Sequence, residues 1–125
     1  MDKHIAVGGA EQAKKAACIT DAIAYIDKNY KNDISLEEIA SHVGYSRCYF
    51  SSMFKQHMGM SPIDYISVRR IDEAMRLLRD TDLPVFKIAT ECGFNNAVNF
   101  CRVFKKITKK PPSVFREEKV RFDGI

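Results

Sequence analysis

Apolar residues recur at intervals of three and four along almost the whole chain, and the strict alternation of a strand is nearly absent. Ile19, Ile23, Ile26 and Tyr30 form one stripe and predict a first helix over residues 17–31. The helix-favouring run from Glu11 to Ala17 allows a start as early as Ala10, with Met1 to Gly9 as a loose tail. Ser35, with Glu38 three residues on, reads as a capping box in which each side chain serves a free backbone N–H, and Ile34 and Ile39 form a hydrophobic staple across it. That second helix is short, because Gly44 supplies a positive-φ stop.

Ser46 caps a third helix to about His57, with Phe50, Met53, Phe54 and His57 on one face. Ser61-Pro62 opens a fourth, with proline at the first helical position and Ile63, Ile66, Ile71, Ala74, Leu77 and Leu78 supplying apolar contacts to about Arg79. Asp80-Thr81-Asp82 is a turn, and Pro84 starts a short fifth helix ending at Gly93. Asn95 or Asn96 caps a sixth, with Phe100, Val103, Phe104 and Ile107 inward, and Pro111-Pro112 precedes a last short helix from Ser113 to about Glu118. The pattern predicts an all-α protein of seven helices.

One supersecondary unit is used twice. L-E-E-I-A-S-H-V-G-Y from Leu36 aligns with V-F-K-I-A-T-E-C-G-F from Val85 at an offset of 49. One residue later the offset becomes 50, and Phe50 falls on Phe100, Phe54-Lys55 on Phe104-Lys105, Pro62 on Pro112 and Tyr65 on Phe115. Small Ala40 and Ala89 let a second helix cross closely over the first. Gly44 and Gly93 make the turn between them, where a Cβ is expected to clash. A short helix, a glycine turn and a longer helix with a polar outer face is helix-turn-helix geometry, whose second helix enters a DNA major groove. The competing reading, a helical-repeat scaffold, is disfavoured because such arrays usually need three or more copies.

The expected organisation is a flexible tail or linker over 1–17, a first helix-turn-helix subdomain over 18–60, a linker helix over 61–80, a second subdomain over 81–118 and a C-terminal tail over 119–125. The fourth helix, at about 18 residues, should be ~27 Å long, against ~34 Å between successive major-groove faces. With some DNA bending, that length suits two recognition helices in adjacent grooves, reading a non-palindromic site of roughly two helical turns.

The sequence resembles the DNA-binding domain of the AraC/XylS family of bacterial transcription regulators. Carrying the likeness are I-A-S-H-V-G-Y-S at 39–46, F-K at 54–55, G-M-S-P at 59–62, R-R-I-D-E-A-M-R-L-L at 69–78, I-A-T-E-C-G-F at 88–94, F-C-R-V-F-K-K at 100–106 and P-S-V-F-R at 112–116. The resemblance implies seven helices in two helix-turn-helix units joined by a long central helix, promoter binding and contact with RNA polymerase. Family members often carry a separate ligand-binding or dimerising domain before this one. The start through Gly8-Gly9 suits either a small stand-alone regulator or the linker end of a C-terminal fragment, monomeric by itself and able to dimerise through such a domain.

Charge sharpens the picture. The net charge is +4, yet residues 1–45 hold five Lys/Arg against seven Asp/Glu, whereas residues 46–125 hold fifteen against nine. From Asn95 to Arg116 there are Arg102, Lys105, Lys106, Lys109, Lys110 and Arg116 with no acid. Such a stretch is either a solvated face or one that meets phosphate by releasing counterions.

On the third helix, the face opposite Phe50, Met53 and Phe54 carries Arg47, Cys48, Ser51, Ser52 and Lys55; on the sixth, the face opposite Phe100, Val103 and Phe104 carries Asn95, Asn96, Asn99, Arg102 and Lys106. The expected base readers are Arg47, Cys48, Ser51, Ser52, Asn95, Asn96, Asn99 and Arg102. Arg102 can grip guanine O6 and N7, and Asn96 or Asn99 can pair with an adenine edge. Lys55, Lys105, Lys106, Lys109 and Lys110 are expected on phosphates. Many family members resemble one another in having arginine where this chain has Ser52, so the first unit is expected to be the weaker reader.

Other chemistry is not expected. The four cysteines contain no C-x-x-C pair and the three histidines have no metal-ligand spacing, so no metal and no cofactor is called for. Cys48 is read as a small contact residue rather than a redox switch, and Cys92 and Cys101 as packing residues. No nucleophile and base stand in motif order, which argues against an enzyme. No apolar run reaches the ~18 residues of a membrane span, and no signal core opens the chain, so a cytoplasmic location is expected. The alternative to a DNA reader is a helical module whose basic face docks an acidic protein.

Overall fold

The computed structural model describes the backbone of residues 2–123 and the side chains of residues 11–118. Among the described residues there are seven helices and no strand: α1 (Asp2–Asn29), α2 (Leu36–His42), α3 (Arg47–Met58), α4 (Pro62–Asp80), α5 (Val85–Glu91), α6 (Ala97–Thr108) and α7 (Pro112–Asp123). The expected all-α architecture is therefore the observed one.

The outer boundaries differ from expectation. Helix α1 reaches back to Asp2 instead of leaving a loose segment before Ala10. The run from Ala10 to Ala17 consists of strong helix formers, and Gly8-Gly9 cost about 1 kcal/mol each relative to alanine without imposing a stop. Helix α7 likewise continues to Asp123, past the expected end at Glu118, so most of the expected C-terminal tail is helical. Met1, Gly124 and Ile125 lie outside the described residues.

Side-chain caps set the starts of α2, α3, α4 and α6, whereas α5 follows Pro84 with no side-chain cap. The Ser46 hydroxyl accepts from the Tyr49 N–H at 3.3 Å, and Ser61 from the Asp64 N–H at 3.1 Å. Of the two asparagines, Asn96 is the cap of α6, its Oδ1 accepting from the Asn99 N–H at 2.8 Å. At α2 only half of the capping box forms. Ser35 Oγ accepts from the Glu38 N–H at 3.1 Å, but the Glu38 carboxylate is drawn to the Tyr25 hydroxyl, 3.5 Å away, instead of closing back.

The chain forms two compact units. One holds α1 to Asn29 and Ile34–Tyr65; the other holds Tyr30–Asp33 and everything from Ile66 on. The division falls inside α4: its first turn belongs to the first unit and the rest to the second. In the first unit Ile19, Ala22, Ile26, Ile39, Ala40, Phe50, Met53 and Phe54 are buried. In the second, Ile71, Ala74, Leu78, Ile88, Ala89, Cys92, Phe94, Phe100 and Phe104 form one core.

The repeat is visible in the ring contacts. Phe50 meets Phe54 at 5.7 Å and Phe54 meets Tyr65 edge-on at 5.8 Å; fifty residues on, Phe100 meets Phe104 at 5.7 Å and Phe104 meets Phe115 edge-on at 5.6 Å. Edge-to-face contacts of this kind add to the burial of each ring.

The two turn glycines serve different purposes. Gly44 and Gly93 both have positive φ, +84° and +95°. A Cβ on Gly44 meets open space, so there only the backbone conformation requires glycine; the expected clash is absent. A Cβ on Gly93 lies 2.8 Å from the Tyr30 carbonyl oxygen and 3.0 Å from that of Lys31. The segment Tyr30–Asp33 is what crowds it. Arg70 holds that segment, its Nε donating to the Tyr30 carbonyl at 2.8 Å and its Nη2 to that of Asn32 at 3.0 Å, while the Tyr30 hydroxyl donates to Glu73 at 3.1 Å.

Cys92 is fully buried, and this burial, reinforced by the Glu73 carboxylate, pushes its thiol up to about 12. Cys48 is exposed. At mildly alkaline pH, iodoacetamide should label Cys48 quickly and Cys92 only on unfolding, because the thiolate is the nucleophile. Equal labelling rates in the native protein, read by peptide mass spectrometry, would contradict the packing of Cys92.

Candidate nucleic-acid interface

Each unit contains a short helix, a turn and a longer helix: α2 and α3 in the first, α5 and α6 in the second. Phe50, Met53 and Phe54 turn α3 inward, and Phe100 and Phe104 do the same for α6, which fixes the outward faces.

On α6 the outward side is cationic and polar. Arg102 is exposed and its Nη2 donates to Asn99 Oδ1 at 2.8 Å, so the two expected readers form a connected pair. Asn99 itself is half-buried. Asn96 is exposed but commits its Oδ1 to capping, leaving its amide N–H2 as the group for other partners. Asn95 is exposed before the cap. The side chains of Lys105 and Lys106 are exposed, with no hydrogen-bond or ion-pair partner among the described residues.

The remaining cations of the acid-free stretch are less alike than their sequence suggests. Lys109 adopts a left-handed φ of 72° at the end of α6, the position that Gly59 occupies with φ 76° at the end of α3. Its Nζ donates to the Lys106 carbonyl at 3.2 Å, which suits a cation at a helix C-terminus. Lys110 pairs with Glu118. Arg116 is a structural clamp, donating to the carbonyls of Leu78 at 3.2 Å and Thr81 at 3.1 Å where α4 ends.

On α3, Arg47 is engaged with Glu37 at 2.7 Å, although both side chains are well exposed. The Arg47 hydrogen bond holds the Glu37 carboxyl below its ordinary value. An exposed pair of this type is weak and can be exchanged for another anion. Cys48 and Ser52 are exposed and Ser51 is half-buried. Ser52, Lys55 and Gln56 line a shallow concavity. His57 is exposed, not part of the inward face, and its Nδ1 lies 3.3 Å from the Met53 carbonyl.

Two outward residues escape a reading by residue type. Gln56 matches Lys106 in the repeat, and Val98, on the second residue of α6, is 81% exposed. The signal for Val98 was its position four residues before Arg102, which places both on one side of the helix.

Among the described residues no group of His, Cys, Asp or Glu is arranged to hold a metal ion, and no helix is long and apolar enough to cross a membrane.

A family model described as "Helix-turn-helix domain" matches residues 39–118, spanning both copies of the repeat. The chain is 33% identical over 102 residues to the HTH-type transcriptional activator AarP of Providencia stuartii, covering 82% of this chain and 76% of that protein. A solved transcriptional regulator from Chromobacterium violaceum, described as having an AraC-type DNA-binding domain, superposes with a TM-score of 0.76 at 27% identity, over 89% of this chain and 96% of that one. The chain belongs to the AraC/XylS family. The regulatory protein PocR of Salmonella typhimurium is 34% identical over 97 residues, which are 78% of this AraC-type chain but only 32% of PocR. The AraC-type signature therefore corresponds to the two helix-turn-helix units seen here.

Proposed function

We propose that this chain is a sequence-specific transcription regulator that binds double-stranded DNA, presenting α3 and α6 as recognition helices to the major groove. The observation that carries the reading is the outward face of α6. There the connected pair Asn99–Arg102 stands beside Lys105 and Lys106, with no acid on the helix. Guanidinium and amide groups match guanine and adenine edges, and lysines match phosphate. The family membership and the activator and regulator names of its relatives support the same reading.

Within it, Arg102 and Asn99 read bases in one block of the site. Arg47, Cys48, Ser51 and Ser52 read more weakly in the other, and Asn95 and Asn96 contact the backbone or base edges near the start of α6. Lys55, Lys105, Lys106, Lys109 and Lys110 position the domain on phosphates. Lys110 must exchange Glu118 to do so. A single chain supplies both recognition helices, so a two-block site needs no second copy. Promoter DNA in the cytoplasm and RNA polymerase are the partners this reading implies; no catalysis and no cofactor is involved.

The test is selection from random duplex DNA with the whole chain, followed by sequencing of the bound pool. One asymmetric motif with two informative blocks supports the proposal. A pool without an enriched motif overturns it and favours a basic face that docks an acidic protein. In the selected site, Arg102→Ala should weaken binding by about 1–3 kcal/mol and relax preference at one base pair. A motif unchanged by that substitution would remove Arg102 from the readout.

A further inference from the structure

We propose that Val98 is a specificity-determining residue that recognises the 5-methyl group of a thymine, an assignment that rests on the DNA-reading role of α6. Val98 is 81% exposed, more than any other large hydrophobic residue described as exposed, including Phe86 at 65%. Packing does not account for it. Helix propensity does not either, because a β-branched residue at an exposed helical position is less favourable than alanine.

Its surroundings supply the chemistry. Val98 lies one turn before Arg102 on the side opposite Phe100 and Phe104, among groups that donate hydrogen bonds: Asn99, Arg102, Lys105 and Lys106. The N-terminal residues of a recognition helix are those that contact base edges. In the major groove the thymine methyl is the apolar feature of the base edges, and it is met by apolar side chains. The repeat gives an independent sign. The matching residue on α3 is Cys48, also exposed, also second in its helix and also small and uncharged, a thiol that behaves as a small hydrophobe. Both units thus place a small apolar group at this register.

Four residues of helix separate Val98 from Arg102, roughly 6 Å along the axis, and base pairs are stacked at about 3.4 Å. The thymine therefore lies within about two base pairs of the base read by Arg102.

The experiment uses the whole chain and its selected duplex. Arg102→Ala first identifies the α6 block. Each thymine in that block is then replaced by uracil, which removes only the methyl, and affinity is measured for wild type and Val98→Ser. At one thymine, uracil should weaken wild type about fourfold, the value of one buried methyl, and leave Val98→Ser unaffected. Unchanged thermal melting of Val98→Ser, expected for an exposed site, ties the effect to the contact. Uracil effects that are equal in both proteins, effects absent from both, or a block without thymine near the Arg102 base overturn the role of Val98 while leaving DNA reading intact. Failure of any motif to enrich removes the DNA reading itself, and the Val98 assignment with it.

Discussion

Replacing Gly93 with alanine should destabilise the protein by about 2–5 kcal/mol, whereas Gly44→Ala should cost about 1–2 kcal/mol. Both substitutions force a side chain into a left-handed backbone, φ +95° and +84° respectively. Only at Gly93 does the new Cβ also meet backbone, with the Tyr30 carbonyl oxygen 2.8 Å away. That oxygen has no easy escape, because Arg70 Nε donates to it at 2.8 Å. Moving the carbonyl to relieve the clash loosens a bond to a half-buried guanidinium. Against a typical stability of about 5–15 kcal/mol, the larger loss leaves a marginal fold. Urea denaturation of the two variants checks the contrast. Equal losses would mean that conformation alone selects glycine at both turns. Asparagine, which tolerates positive φ, should be milder than alanine at position 44 and no better at 93.

Phe100→Ala should cost about 3–5 kcal/mol, the range for deleting a fully buried phenyl ring. Phe100 is completely buried and touches two further rings, Phe94 at 5.2 Å and Phe104 at 5.7 Å. Its loss removes the middle of the aromatic chain that sets α6 on its core, so the outward face loses its orientation as well as its support. Phe86→Ala is the control: that ring is 65% exposed, and its removal should change stability by no more than about 0.5 kcal/mol. Thermal or urea unfolding of both variants gives the comparison. A Phe100→Ala loss below that of a single methylene would show that the core re-forms without the ring.

The repeat made the helical architecture legible in the sequence, because Ile39-Ala40, Gly44, Phe50 and Phe54 recur in order and each has a packing reason. Caps were legible for the same kind of reason: Ser46, Ser61 and Asn96 are short acceptors placed before apolar runs. What stayed hidden was tertiary. Nothing near Tyr30 announces that this turn of chain fills the space beside Gly93, so the repeat offers a single explanation for two glycines that need two. Charge counting could not separate Arg116, which holds the end of α4, from Lys105, which faces outward, since the partners of Arg116 are distant carbonyls. Val98 was hidden by its residue type: valine is by default a core residue, and only its exposure assigns it to the outer face.

The segment Tyr30–Asp33 has a topological consequence. The chain enters the second unit at Tyr30, leaves it after Asp33 and returns at Ile66. The two copies of the repeat therefore cannot be parted by cutting one peptide bond. A fragment starting at Ile66 would keep Arg70 but lack the carbonyls of Tyr30 and Asn32 that receive its donors, and would keep Glu73 without the Tyr30 hydroxyl. In modular terms, the smallest transferable half of this protein is discontinuous, a short loop plus a long tail. Exchanging the outward face of α6 in this protein therefore calls for grafting residues into the intact chain rather than transplanting a fragment from Ile66 on.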